Sequence, residues 1–304
     1  MSVIRAAERL QGRVRKTPVV QSAWLSAVTG ADVLLKLENL QIEGSFKTRG
    51  AFHALQQAGV RRAVTASAGN HGRSLAFAAK DLGVALTVFA PRTAPRAKLD
   101  YIGAHGAALE LCDSYDEAEQ RALDYAGRLA VPYISPYNNR DVIAGAGTVG
   151  LEAMQEHPDV IVVPVGGGGL ASGVALAARM EPVPPVVIGV EAAASPAFTT
   201  ALAQGRLVPI EVGETLADGL AGNAEPDSIT FALIRDNVSD VLAVDEAYIA
   251  AAMRGLLAHD GQRAEGAGAV GVAALLAGIA GLAGKRVIVI VSGGNVDDAR
   301  LASV

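Results

Sequence analysis

Short runs of apolar residues alternate with longer amphipathic or alanine-rich segments along almost the whole chain. The apolar runs are rich in β-branched residues and predict buried strands. The predicted strands are 33–37, 63–66, 86–89, 108–111, 160–165, 186–190, 241–244 and 287–291. The intervening segments have apolar positions at helical spacing. The predicted helices are 46–57, 73–82, 95–102, 118–129, 143–155, 170–179, 229–235, 246–259 and 267–275.

Strands that alternate with helices in this way predict an α/β fold. Continuous apolar strands with helical connections are typical of parallel sheets that helices cover on both faces. The strands fall into two groups, so we expect two domains, each with a mainly parallel twisted sheet flanked by helices. The smaller domain is predicted at residues 60–146. The larger domain combines residues 1–59 and 147–304.

Composition narrows the class of protein. The chain is 51% hydrophobic and 19% charged, which is typical of a compact globular protein. A formal net charge of -5 without a long Lys/Arg cluster argues against a nucleic-acid partner. Glycine interrupts the most apolar segments after about seven residues, so we expect no membrane span. Cys112 is the only cysteine, which excludes an internal disulfide and fits a reducing cytoplasm.

A strand, four consecutive glycines and a helix follow one another at residues 163–173. The glycines are Gly166, Gly167, Gly168 and Gly169. Backbone N–H groups at such a helix N-terminus can approach an anion closely, so the turn predicts a phosphate site. A dinucleotide site is the alternative, because Gly166, Gly168 and Ala171 match G-x-G-x-x-A and Glu191 ends the next strand. The alternative function is therefore a nicotinamide-dependent oxidoreductase.

A second strand leads into a helix through a polar turn. Its residues are Ser67, Ala68, Gly69, Asn70 and His71. Ser67 and Asn70 belong to the residue types that cap helices. Together with Gly69 and free N–H groups, they also predict a pocket for a carboxylate. We interpret His71 as a hydrogen-bonding structural residue rather than a catalytic base.

Two further residues lie just past predicted strands. Ser292 follows the last strand, where its hydroxyl could bond a neutral ring nitrogen or cap a helix. Lys47 stands where an apolar run gives way to a helical pattern, and alone it would be a solvated charge. Ligands of open α/β sheets bind at the carboxyl ends of strands. Because Lys47 is expected at the same edge as the three turns, we interpret it as a reactive amine.

Four segments, in this order, resemble the fold-type II pyridoxal-phosphate enzymes. They are GSFKTRGA at 44–51, ASAGNHG at 66–72, VGGGGLASG at 165–173 and SGGN at 292–295. The chain is most similar to the branch of serine/threonine dehydratases (threonine ammonia-lyases) and serine racemases. The resemblance covers almost the whole chain and includes GETLADGL at 213–220. It implies a fold like that of the tryptophan synthase β subunit and pyridoxal 5'-phosphate as the cofactor.

The resemblance also assigns a role to each matching residue. Lys47 would carry the cofactor as a Schiff base, and Phe46 would pack beside the cofactor ring. Asn70 would hydrogen-bond the 3-oxygen of the ring, and Ser292 would bond the pyridine nitrogen. The four glycines would bind the 5'-phosphate. The turn at residues 67–71 would hold the α-carboxylate of the substrate.

The expected reaction is the dehydration of L-threonine, L-serine or both to a 2-oxo acid and ammonia. It combines abstraction of the α-proton with elimination of the β-hydroxyl. In serine racemases a serine at the position of Ala68 supplies a second acid/base. Alanine cannot move a proton, so the sequence favours elimination. A serine racemase or a hydroxyaspartate dehydratase is the alternative within the family.

The resemblance bears on metals and assembly as well. The racemase branch binds a divalent ion with a glutamate at the position of Glu191 and an aspartate six residues later, where this chain has Ala197. Divalent cations need several charged oxygen ligands, so no metal site is expected. We also expect a small amino-acid substrate, and the family together with the high apolar content favours a homodimer or a larger homo-oligomer.

Overall fold

Residues 2–304, which the computed structural model describes, contain nine strands and thirteen α-helices. The strands are β1 (Val19–Gln21), β2 (Asp32–Leu37), β3 (Arg62–Ala66), β4 (Ala85–Pro91), β5 (Ala108–Cys112), β6 (Val160–Pro164), β7 (Val186–Ala192), β8 (Asp240–Val244) and β9 (Arg286–Val291). The helices are α1 (Val3–Leu10), α2 (Ala23–Thr29), α3 (Lys47–Ala58), α4 (Asn70–Leu82), α5 (Arg96–Ala104), α6 (Tyr115–Leu129), α7 (Arg140–Met154), α8 (Gly169–Ala178), α9 (Ala197–Gln204), α10 (Ile229–Asn237), α11 (Glu246–Asp260), α12 (Gly266–Ala277) and α13 (Asp298–Ala302). A short 3₁₀ helix spans Glu38–Leu40. None of the helices within these residues is both long and apolar enough to cross a membrane.

The strands form two sheets. The large sheet has the order β1-β2-β9-β6-β7-β8, and the small sheet has the order β3-β4-β5. Only β1 pairs antiparallel; every other pairing in the two sheets is parallel. Val289 of β9 lies opposite Leu35 on one side and Val162 on the other. The predicted α/β fold with mainly parallel sheets is confirmed.

All eight predicted strands and nine predicted helices are present, with ends that differ by at most three residues. Elements without a sequence prediction are also present. They are β1, α1, α2, α9 and α13. The small sheet uses strands from residues 62–112. Because α7 runs continuously across residues 146 and 147, the proposed domain boundaries stay a prediction.

The large sheet is buried on both faces, which explains its continuous apolar strands. Alternate residues of β9 enter different cores: Val287 and Val289 pack with α11 and α12, whereas Ile288 and Ile290 pack with α7 and α8. Ten residues of α12 are buried. A helix that is apolar on all sides is typical of a central position in the core.

The sheet topology brings the predicted turns together. Strands β6 and β9 are parallel neighbours, so the glycine turn after Pro164 and the turn after Val291 lie at the same edge of the large sheet. The turn at residues 67–69 follows β3 of the small sheet and precedes α4. The predicted site residues therefore come from loops of both sheets.

Candidate active site

Lys47 is the first residue of α3, and its position is fixed by the turn that follows β9. The backbone N–H of Phe46 donates to the carbonyl of Ser292 at 3.1 Å. The amine of Lys47 donates to the carbonyl of Pro136 at 2.9 Å and lies 5.1 Å from the centre of the Phe46 ring. The structure thus places Phe46 and Ser292 close to Lys47 in space, and their predicted roles toward a cofactor stay predictions.

The amine of Lys47 is partly buried and electrostatically coupled to one acid. Burial lowers the pKa of Lys47 to about 8, against the opposing effect of Glu265. Burial also raises the pKa of Glu265 to about 7, although Asn70 donates a hydrogen bond to its carboxylate at 2.6 Å. Desolvation penalises the charged form of each group. A fraction of the Lys47 amines is therefore uncharged near neutral pH, and a nucleophile or a base must be uncharged to react.

The glycine turn between β6 and α8 leaves no room for side chains. A Cβ atom on Gly167 would lie 2.2 Å from the ring of Tyr137, and one on Gly168 would lie 2.8 Å from Phe198. Gly168 also has a φ of +85°, which favours glycine. Within residues 2–304, the N–H groups of Gly166, Gly167 and Gly168 donate to no protein acceptor. Free N–H groups at the start of a helix favour an anion.

The turn at residues 67–71 begins α4 and borders a cavity of about 400 Å³. The N–H of Gly69 donates to the hydroxyl of Ser67 at 3.2 Å. Ala68, Gly69 and Asn70 line the cavity, whereas Ser67 and His71 are buried. Other lining residues include Arg73, Ala97, Lys98, Tyr101, Leu216, Asp218, Glu265 and Asn295. The segment at 213–220 therefore contributes to the cavity.

His71 makes a structural hydrogen bond. Its Nε2 lies 3.0 Å from the carbonyl of Ile134, which can only accept, so Nε2 carries the proton. Burial, together with the nearby amine of Lys47, lowers the pKa of His71 to about 3. A neutral imidazole that bonds the backbone agrees with the interpretation of His71 as a structural residue.

The remaining polar groups fit the cofactor that the motifs predict. Within the described residues, the buried Ser45 hydroxyl and Nδ1 of His71 have no hydrogen-bond partner. The Ser292 hydroxyl has only a long bond of 3.4 Å to the carbonyl of Ala267. A lysine with a lowered pKa, a glycine cradle with free N–H groups and a neutral hydroxyl match the amine, phosphate and ring-nitrogen needs of pyridoxal phosphate.

Several site residues had no sequence-based role. The carbonyl of Pro136 bonds Lys47, and Asn295 lies between Asn70 and Glu43. Tyr137 and Phe198 both pack against the glycine turn. The motif SGGN contained the only local signal for Asn295. Its partners are more than 200 residues away in the sequence, so local patterns could not identify them.

The carboxylate of Glu191 is engaged in hydrogen bonds within the fold. Its carboxylate accepts from the N–H groups of Phe198 and Thr199 at 2.7 and 2.8 Å and from the Thr199 hydroxyl at 2.8 Å. It thereby caps α9, which begins at Ala197. The ribose-binding role in the dinucleotide alternative therefore has no geometrical support. Among residues 2–304, no three His, Cys, Asp or Glu side chains are grouped as a metal site would require.

Comparisons with known proteins agree on one family. The family described as "Pyridoxal-phosphate dependent enzyme" matches residues 10–293. An L-threonine ammonia-lyase of Thermotoga maritima is 42% identical over 97% of this chain and 75% of its own length. An L-threo-3-hydroxyaspartate ammonia-lyase of a Pseudomonas species is 39% identical over 99% of this chain and 97% of its own length.

A solved structure gives the same result. Maize serine racemase superposes with a TM-score of 0.92 at 31% identity, over 99% of this chain and 94% of the racemase. The shared fold, the matched length and the ordered lysine, glycine and serine motifs lead to a single assignment. The chain belongs to the family of pyridoxal-phosphate-dependent enzymes.

Proposed function

We propose that the protein is a pyridoxal-phosphate-dependent dehydratase (ammonia-lyase) of L-threonine, L-serine or both. The observation that carries the proposal is the amine of Lys47, which is partly buried, has a pKa lowered to about 8 and donates to the carbonyl of Pro136. The next residue, Tyr137, packs against Gly167 of the glycine turn. An amine with this pKa can attach a carbonyl cofactor and can also transfer a proton. The ammonia-lyase names of the relatives support the same reaction class.

In the proposed reaction the residues of the chain bind, orient and move a proton. The bound cofactor supplies the electron sink that lets the α-proton leave. Lys47 would hold the cofactor and, once the substrate amine has replaced it there, would take the α-proton at its free Nζ. The glycine turn holds the phosphate through free N–H groups, and Ser292 offers a neutral hydroxyl to the ring nitrogen. The turn at residues 67–71 holds the substrate carboxylate at the N-terminus of α4.

The reaction balances without an oxidant. Loss of the α-proton and of the β-hydroxyl releases one water molecule and leaves an enamine. The enamine tautomerises to an imine, and hydrolysis of the imine consumes one water molecule. The products are a 2-oxo acid and ammonia.

A substrate panel tests the proposal. We expect the purified protein with pyridoxal phosphate to release 2-oxo acid from L-threonine or L-serine. Chiral chromatography on L-serine should show D-serine at a small fraction of the pyruvate yield. D-Serine formed at a rate comparable to pyruvate would identify a racemase instead. A colourless protein that stays colourless with added pyridoxal phosphate would contradict the proposal altogether.

A second candidate substrate is 3-hydroxyaspartate. Arg73 and Lys98 both line the cavity beside the turn at 67–71, and a second substrate carboxylate would need a cation there. Arg73 is bonded to Glu43 at 3.0 Å, whereas Lys98 lies 3.7 Å from Asp218. The Pseudomonas relative carries this activity in its name. Including 3-hydroxyaspartate in the same panel ranks it against threonine and serine.

Ala68→Ser is expected to increase racemisation. The substitution places a hydroxyl on the cavity wall at the position that serine racemases use as an acid/base. Because a positioned acid/base contributes roughly 100-fold or more, we expect D-serine formation from L-serine to rise at least about tenfold. Chiral chromatography measures the change.

Ala97→Ser is the matched control, since Ala97 lines the same cavity but lies on α5. It should leave the D-serine yield unchanged. If Ala68→Ser dehydrates L-serine normally and still forms no additional D-serine, the absence of a base at position 68 does not set the reaction outcome.

Three expectations about location, assembly and metal accompany the proposal. A cytoplasmic location, a homodimer or larger homo-oligomer and independence of divalent metal stay predictions. The hydrogen bonds that occupy Glu191 support the last of them.

A further inference from the structure

Asn295 lies in the turn after β9, and the proposed reaction gives it no role. Its side-chain amide Nδ2 donates to the backbone carbonyl of Glu43 at 2.9 Å and to Oδ1 of Asn70 at 2.8 Å. Glu43 precedes the lysine-bearing segment, and Asn70 begins α4. One amide therefore joins the turn after β9 to the segment that precedes Lys47 and to the turn at residues 67–71.

The two bonds of Asn295 determine the orientation of the Asn70 amide. A carboxamide has one accepting oxygen and one NH₂ group with two hydrogens. Because Asn295 supplies a donor to Oδ1 of Asn70, the NH₂ group of Asn70 is directed at Glu265, to which it donates at 2.6 Å. The opposite orientation would place two NH₂ groups together and an amide oxygen against a carboxylate. The second hydrogen of the Asn70 NH₂ group stays available for another acceptor.

The backbone around Asn295 is shaped to hold it in place. Gly44 has a φ of +70°, and a Cβ atom on Gly44 would lie 2.4 Å from Oδ1 of Asn295. The N–H of Gly294 donates to the carbonyl of Gly44 at 2.9 Å. Only glycine at position 44 leaves space for the amide. Asn295 also lines the cavity beside Asn70 and Glu265.

We propose that Asn295 is a positioning residue that orients the Asn70 amide so that its NH₂ group faces the cofactor ring oxygen and Glu265. It also ties this amide to the segment that carries Lys47. The inference rests on the proposed pyridoxal-phosphate function. Asn295 acts through Asn70 and touches neither the substrate nor the reacting atoms in this scheme.

Asn295→Asp tests the orientation without changing the size of the side chain. A carboxylate at position 295 can no longer donate, so it repels Oδ1 of Asn70 and favours rotation of the Asn70 amide. The amide oxygen of Asn70 would then face Glu265 and the cofactor oxygen. Loss of a buried hydrogen bond with unpaired partners corresponds to roughly 10- to 100-fold in affinity. We expect the Kd for pyridoxal phosphate to rise by that factor and the visible absorption maximum of the bound cofactor to shift.

Two variants serve as comparisons. Asn295→Ala removes the donor without adding repulsion, so its Kd for pyridoxal phosphate should rise less than that of Asn295→Asp. Asn237→Asp is the matched control, because the Asn237 amide donates to Leu233 at 2.8 Å within α10. It should leave both the Kd and the spectrum unchanged. Equal losses in Asn295→Asp and Asn295→Ala, or an unchanged spectrum in folded Asn295→Asp, would overturn the inference.

A measurement on the apoprotein separates this inference from the proposed function. Wild-type protein that fails to bind pyridoxal phosphate would reject the function. A double-mutant cycle of chemical unfolding with Asn295→Ala, Asn70→Ala and the double variant still tests the contact. Non-additive effects on the unfolding free energy are expected, and additive effects would overturn the inference.

Discussion

Lys47→Ala is expected to abolish 2-oxo acid release. In the proposed function Lys47 is both the attachment point of the cofactor and the base that takes the α-proton, and the substitution removes both. General-base catalysis alone contributes about 10²- to 10⁴-fold, and residues that act as a unit lose nearly all activity when one is removed. We therefore expect kcat to fall by at least about 1,000-fold. Steady-state assays of 2-oxo acid release measure the loss.

Spectroscopy and mass spectrometry identify the cause of that loss. Borohydride reduction should fix the cofactor covalently to wild-type protein at Lys47 and leave none on Lys47→Ala. Lys47→Arg keeps a positive charge and a similar length but has no amine to deprotonate, so it should be as inactive as Lys47→Ala. Lys80→Ala, in the last turn of α4, is the surface control and should behave like wild type. A Lys47→Ala protein with a tenth of wild-type activity would contradict the assignment.

The central strands of the large sheet were predictable because both faces of this sheet are buried. In β9 the residues after the exposed Arg286 enter cores on opposite sides of the sheet in turn, so each of these positions selects an apolar residue. Strand β1 has only three residues, of which none is fully buried, and it pairs antiparallel at the edge. Its apolar run was too short to separate from the loop around it.

Helix α9 shows a different limit of sequence reasoning. Its first turn is capped by Glu191, which lies at the end of β7, rather than by a residue that directly precedes the helix. The sequence presented Glu191 as a candidate ligand of ribose or metal. Only the fold reveals that its oxygens are already occupied by backbone N–H groups.

The candidate site was predictable to the extent that it consists of local turns. The glycines and capping residues follow strands directly, and strand ends in a parallel sheet share an edge. Lys47 comes later, because the 3₁₀ helix and a loop separate it from the end of β2. The bonds from Asn70 to Glu265 and from Asn295 to Asn70 join residues 195 and 225 positions apart. Such contacts depend on how the loops of the two sheets meet. No periodicity or motif in the sequence encodes that arrangement.

The second large effect is expected from substitution of Arg49, two residues after Lys47. Arg49 is buried, and its guanidinium donates to both oxygens of Glu38 at 2.8 Å and to Glu152 at 2.7 and 2.9 Å. Lys36 also donates to Glu152 at 2.5 Å. Two cations and two anions therefore form a closed neutral cluster that joins β2, the 3₁₀ helix, α3 and α7. The cluster fixes the first turn of α3, on which Lys47 lies.

Arg49→Met is expected to lower the free energy of unfolding by about 3–5 kcal/mol, because it leaves the fully buried Glu38 without its main partner. Arg49→Lys should give an intermediate loss, since an ammonium cannot make the bidentate contact. Chemical unfolding of the apoprotein measures both. Arg235→Met is the control, because Arg235 pairs with Asp236 on the surface. It should cause no measurable change.

The pH dependence distinguishes an unpaired charge from a simple loss of packing. In the wild type, burial raises the pKa of Glu38, but the combined effect of Arg49, Lys36 and Thr17 outweighs burial and the pKa is lowered. Glu38 then contributes stability above its unfolded-state pKa, and this contribution is lost as the pH falls. In Arg49→Met burial dominates, so the pKa of Glu38 rises and the sign reverses. The deficit of the variant relative to the wild type should therefore shrink as the pH falls. Glu38→Gln in the Arg49→Met background should recover part of the lost unfolding free energy at neutral pH. A difference in unfolding free energy between variant and wild type that is constant with pH would contradict this electrostatic explanation.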